Sequence, residues 1–183
     1  MNKNTNLRDT ADLHYRCGCD FLELNLFDLA IDSFTEALKL EPNNEKIWNR
    51  RGIAYGQKEA YHESILDSSK AISLNEDFYA AYNNRGLCFY RLNRLEESLA
   101  DLNIAIELQP DIAAFHLNRS LVYLAKGDED KSLVDLNIAI SLDSNLAEAY
   151  PYRAELLIKK GLYKQAISSL RKAIKLEEDD NDE

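Results

Sequence analysis

The sequence predicts an all-α protein, a solenoid of five helix-turn-helix repeats, and three observations carry that prediction. The string "NNRGLCFYRL" at residues 83 to 92 returns 34 residues upstream as "NRRGIAYGQK" and 34 residues downstream as "LNRSLVYLAK". A fixed period of that size marks stacked supersecondary units. Within the period some slots are always bulky and others always small, and apolar residues fall at helical spacing in two runs separated by turn formers.

Counted from the small residue that follows the NR-type dipeptide, the copies lie at 11–44, 45–78, 79–112, 113–146 and 147–178. The first sets His14 four residues before its anchor Gly18 and Phe21 three after it, then Ala30 and Ala37 in two small slots, and Pro42 stops its second helix. The second follows Asn44, a good helix N-cap, and fills the same slots with Trp48, Gly52, Tyr55, Ser64 and Ala71. The third, with Asp77 as the expected cap, has Tyr82, Gly86, Phe89, Ser98 and Ala105. In its run "LEESLADLNIAIEL", Leu95, Leu99, Leu102 and Ile106 share one face before Pro110 ends the helix. The fourth, capped by Asp111, has His116, Ser120, Tyr123, Ser132 and Ala139; the fifth, capped by Asn145, has Tyr150, Ala154, Leu157, Ala166 and Ala173. Two antiparallel helices need this register, because a side chain projecting from one must enter the gap left by a small residue on the other. Pro151 breaks the pattern, falling several residues inside the expected first helix of the fifth copy, where it should bend the axis and end the usable face.

Composition narrows the function classes. An apolar share of 45% can bury a sizeable core, and neither an 18-residue apolar span nor a signal-like stretch occurs, so a cytoplasmic protein without membrane contact is expected. Residues 1–10 read as a polar leader, 11–176 as the repeat domain, and 177–183, "EEDDNDE", as a solvated acidic tail. A net charge of −10 argues against nucleic-acid binding, which needs a basic surface. Cys17, Cys19 and Cys88 read as free thiols, and Cys17 and Cys19 point apart on a helix, so no metal site is expected. His14 and His116 sit in the bulky packing slot, and no phosphate loop or nucleophile motif is present, so no cofactor and no catalysis are expected.

The pattern of aromatic, small, aromatic, alanine and proline slots over 34 residues resembles the tetratricopeptide repeat, across nearly the whole chain. The resemblance implies a right-handed superhelix whose first helices line a concave groove, and a scaffold or adaptor that binds a protein or peptide segment there. Two other readings remain: a self-associating structural subunit, and, more distantly, an enzyme whose residues converge only in three dimensions. Some members of the family clamp the C-terminal carboxylates of chaperones with a lysine and an asparagine on one groove helix, an asparagine on the next, and a lysine and an arginine on the third. Those slots here hold Tyr15, Cys19, Arg50, Ala80 and Asn84, and no other register supplies the lysines.

Two polar rows remain to be placed. Arg51, Arg85, Arg119 and Arg153 precede the anchors while Asp67, Asp101 and Asp135 recur fifteen after them, which favours a ladder of internal ion pairs over an arginine row gripping an anion. The face opposite the packing slots, at about 100° per residue, carries Tyr15, Arg16, Asn49, Arg50, Ile53, Asn83, Asn84, Leu87, Tyr90, Asn118, Leu121 and Leu124. These are the expected peptide-binding residues, an apolar floor edged by amides. The asparagines either hold an extended backbone or only solubilise the helix surface. At the other end, some of Ile167, Leu170 and Ile174 should stay exposed and support a weak homodimer through the fifth copy.

Overall fold

The computed structural model describes residues 3–181, with side chains described for residues 8–179. Among the described residues the protein is all-α, a solenoid of helical repeats with ten helices and no strand. It divides into two compact units, residues 1–101 and 102–183. The first holds α1 (Lys3–Glu23), α2 (Phe27–Leu40), α3 (Glu45–Gln57), α4 (Tyr61–Leu74), α5 (Tyr79–Arg91) and the start of α6 (Leu95–Leu108). The second holds the rest of α6, α7 (Ala113–Ala125), α8 (Glu129–Leu142), α9 (Ala149–Lys159) and α10 (Tyr163–Asn181). In the first unit α1 packs on α2 and α3 on α4, the hairpins join through α2 on α3 and α4 on α5, and α1, α3 and α5 lie side by side. In the second, α7 packs on α8, α8 on α9, and α9 on α10.

The anchors mark where paired helices come closest. A Cβ on Gly18 would stand 2.6 Å from the buried Phe34 ring, and one on Gly52 would stand 3.3 Å from the Ser64 carbonyl oxygen. Where the anchor is Gly86, Ser98 Oγ donates to its carbonyl at 2.7 Å. Phe34 then centres an apolar cluster with Ala30, Ala37, Leu38, Ile47 and Ala54. Burial of each large side chain contributes about 1.5–3 kcal/mol, so these contacts bind one hairpin to the next.

Every hairpin turns in the same way. Seven residues past the anchor stand Asn25, Glu59, Asn93, Gly127 and Gly161, all at positive φ. In each copy this residue's N–H reaches back three residues and the next N–H five, as in Gly127 to Leu124 O at 2.9 Å and Asp128 to Tyr123 O at 2.9 Å. This is a Schellman closure of the first helix, and it explains the glycines and asparagines at that slot. The bulky slot four before the anchor has a second task besides packing. Trp48 Nε1 donates to Pro42 O, His116 Nε2 to Pro110 O and Tyr150 OH to Ser144 O, at 2.8, 2.8 and 2.7 Å.

Some expectations need correction. Asn44 caps α3, accepting from Lys46 N at 3.1 Å, but Asp77, Asp111 and Asn145 are not the caps of the helices that follow them. The residues before α5, α7 and α9 are Phe78, Ile112 and Glu148; ahead of α5 and α9 the connecting turn is closed two residues before the expected cap, by Asn75 Oδ1 accepting from Asp77 N and Asp143 Oδ1 from Asn145 N. Pro151 does not lie deep in a helix. α9 begins at Ala149, so the proline falls in its first turn, where the N–H has no partner within the helix in any case. Residues 3–10 of the expected leader belong to α1, and α10 continues through the acidic stretch to Asn181, since neither segment holds a proline or glycine to stop it.

Candidate peptide-binding face

The arginines before the anchors are taken up internally. Arg51 forks onto Asp67 at 2.7 and 2.9 Å, Arg85 onto Asp101 at 2.7 and 2.8 Å, and Arg119 onto Asp135 at 2.7 and 2.7 Å. The third nitrogen of each crosses to the preceding hairpin: Arg51 to Thr35 at 3.0 Å, Arg85 to Ser69 at 3.0 Å, Arg119 to Asn103 at 2.8 Å. Each guanidinium thus joins its own hairpin and the one before it, over aromatic rings such as Trp48 at 4.9 Å and Tyr82 at 5.7 Å. Burial nevertheless holds the Asp67 carboxyl above its ordinary value, outweighing Arg51. In the fifth copy the carboxylate slot is Ser169, which Arg153 meets at 3.1 Å, and desolvation without a carboxylate lowers the Arg153 value.

The face of the first unit comes from α1, α3 and α5. α1 brings Tyr15 and Arg16. Arg16 pairs with Asp12 at 2.8 Å on the exposed surface. Tyr15 packs its ring against Phe34 at 5.9 Å, and its hydroxyl is pushed up first by burial and then by neighbouring Cys19, with Arg50 opposing both. α3 brings Asn49, Arg50 and Ile53, and α5 brings Asn83, Asn84, Leu87 and Tyr90. The two amides at the centre are not open. Asn49 is only 5% exposed and accepts from Asn84 Nδ2 at 2.8 Å. The expectation of a row of ligand-facing asparagines is therefore corrected at Asn49, which lies too deep between α3 and α5 to be reached. In the second unit Asn118, Leu121 and Leu124 are half-buried on α7, and Leu124 packs on the Leu117–Leu136 cluster.

Between α3 and α5 the face opens into a recess of 260 Å³ that the sequence rows did not single out. Its walls are Ile53, Asn84 and Leu87, its rim carries Glu59 and Arg91, and Ser64 and the buried Cys88 close its floor. Burial pushes the Cys88 thiol up, so it is a neutral lining group. The recess exists because Gly56 stands where the other copies carry Leu22, Tyr90, Leu124 and Ile158. That one missing side chain was the available signal. Among the described residues no group of three or more His, Cys, Asp or Glu could hold a metal, and no helix is long and apolar enough to cross a membrane.

Comparisons with known proteins agree with this geometry. Models described as tetratricopeptide repeat match residues 15–71, 79–112 and 147–180. A peroxisomal targeting signal receptor of Candida glabrata is 34% identical over 67 residues, 37% of this chain and 11% of the receptor, so the chain spans about a tenth of that relative's length. The crystal structure of MamA protein superimposes with a TM-score of 0.74 at 25% identity, covering 93% of both chains. A thermophilic TPR protein of Thermus thermophilus does so with a TM-score of 0.79 at 23% identity, covering 94% of both.

Proposed function

Since the chain is a tetratricopeptide repeat protein, a fold that serves in general as a non-catalytic scaffold for protein or peptide partners, we propose that it binds an extended segment of a partner across α1, α3 and α5. The observation that carries this reading is the recess at Gly56. A volume of 260 Å³ takes one apolar side chain of the segment against Ile53 and Leu87. Beside it Asn84, having given one N–H to Asn49, still has a second N–H and a carbonyl oxygen with which to meet a peptide group. Arg91 at the rim and exposed Arg50 favour a segment with a carboxylate near the anchoring residue. A likeness to a targeting signal receptor agrees with a recognition role without naming the ligand.

The test fills the recess. Gly56→Leu restores the side chain that the first and fourth copies carry at this slot, so the hairpin accommodates it, and replacing a helical glycine adds up to about 1 kcal/mol of stability. Peptides selected from a random library on the intact protein should lose at least about tenfold in affinity for Gly56→Leu, a loss of roughly 1.4 kcal/mol, while that variant melts no earlier. Equal binding by both proteins would remove the recess from the proposal.

A further inference from the structure

The repeats themselves show what normally covers the second helix of a hairpin. In the first and fourth copies the slots sixteen and twenty after the anchor hold Phe34 and Leu38 on α2 and Leu136 and Ile140 on α8. They are covered by the next first helix through residues five before and two after its anchor, Ile47 and Ala54 on α3, Ala149 and Leu156 on α9. Two polar contacts flank this apolar seam. The arginine before the anchor donates to the uncharged residue seventeen after the previous anchor, as at Thr35, Ser69 and Asn103. A lysine six after the anchor pairs with the acid ten after the previous one, Lys58 with Asp28 and Lys160 with Asp130.

On α10 the apolar seam is kept and both polar slots are inverted. Ile167, Leu170 and Ile174 are 50%, 40% and 55% exposed. The acid slot is Lys164 and the uncharged slot is Arg171, and Lys175 continues the same helical row. A helix of the kind that covers the other hairpins would bring its arginine and lysine against Arg171 and Lys164. A second α10 would set this cationic row against itself. The α1 of a second copy fits no better, because its seam residue two after the anchor is Asp20 and neither Cys17 nor Leu24, in the two polar slots, is acidic.

We propose that the outer face of α10 docks an acidic amphipathic helix of a partner protein, with apolar residues at i and i+7 and carboxylates at i+4 and i+11. The apolar pair covers Leu170 and Ile174, and the carboxylates meet Arg171 and Lys164. The site is separate from the face of α1, α3 and α5.

The protein's own α9 supplies the probe. A synthetic peptide of residues 147–163 carrying Arg153→Glu and Lys160→Glu has the proposed pattern, and the unaltered peptide has the interior one. Titrated into the full chain at low salt with a fluorescent label, the charge-reversed peptide should bind about tenfold more tightly, because two charge contacts change from repulsive to attractive. The Lys164→Glu/Arg171→Glu protein, whose substitutions lie on exposed side chains, should reverse that preference and keep the melting temperature. Equal binding of the two peptides, or no binding of either, overturns the proposal. So does self-association in sedimentation that Leu170→Glu abolishes, which would give the face to a second copy.

Discussion

Glu59 is held at φ 62 in a turn where its counterparts are two asparagines and two glycines. For an L-residue with a long side chain this conformation costs roughly 1–2 kcal/mol, and glycine gives back part of the gain through a freer unfolded chain. Glu59→Gly should therefore raise stability by about 1 kcal/mol, read as a melting temperature roughly 2–4 °C higher in a chain of this size. Asn84 has the opposite outlook. Replacing it by alanine leaves the buried Asn49 oxygen without its donor, which costs about 1–3 kcal/mol. Asn84→Ala should melt earlier, whereas an amide serving only a ligand would leave the transition in place. Residue identity in the sequence placed both side chains on the first-helix face. Their pairing was not legible, because it depends on how closely α3 approaches α5 and no spacing within one repeat records that distance. The turn at Glu59 was not read from the sequence, although Asn25, Asn93, Gly127 and Gly161 at the same slot mark it.

At the scale of helices, the arginine and aspartate periodicities gave the ladder correctly, because charges fixed in register on two packed helices have few other ways to be satisfied. Asp77 and Asn145 were misassigned as caps because an Asx-type turn by Asn75 or Asp143 uses the same residue types two residues earlier. Asp67 in the ladder and three carboxylates on the surface differ in pH behaviour. Asp67 has its folded value raised by burial, so the native state binds its proton more readily than the unfolded chain, and its contribution is present at low pH and lost as pH rises through the raised value. Glu36, Glu97 and Asp128 are lowered by Lys39, Arg94 and Lys131, so their contributions are lost as pH falls through the carboxylate range. Asp67→Asn removes the one group among these that offsets the acid loss. Its melting temperature should fall more steeply than wild type between about pH 5 and 3.5, and parallel slopes in thermal melts at several pH values would contradict the assignment.

For the whole molecule, the period and its slots were enough to fix an all-α repeat protein, since each hairpin buries its apolar face only against its neighbours. The ligand was not fixed in this way. Both proposed sites rest on departures from the consensus, Gly56 in one copy and Lys164 and Arg171 in another, which a search for regularity passes over. The same comparison across copies gives a negative prediction. Without lysines in the clamp slots, the protein should show no specific binding to peptides ending in Glu-Glu-Val-Asp. Micromolar heat of binding in calorimetry that disappears when the peptide C-terminus is amidated would contradict this.

The hydrogen bond from Trp48 to Pro42 has a practical consequence. Trp48 is the only tryptophan in the chain, and its indole lies under the Arg51 guanidinium at the junction of the first two hairpins. Its fluorescence therefore reports on residues 1–101 alone, whereas far-ultraviolet ellipticity sums the helices of both units. Recorded on one sample through a single denaturant titration, the two signals separate the unfolding of the N-terminal unit from that of residues 102–183 with no label added. Coincident midpoints mean that the array unfolds as one cooperative body, and separated midpoints give the stability of each unit.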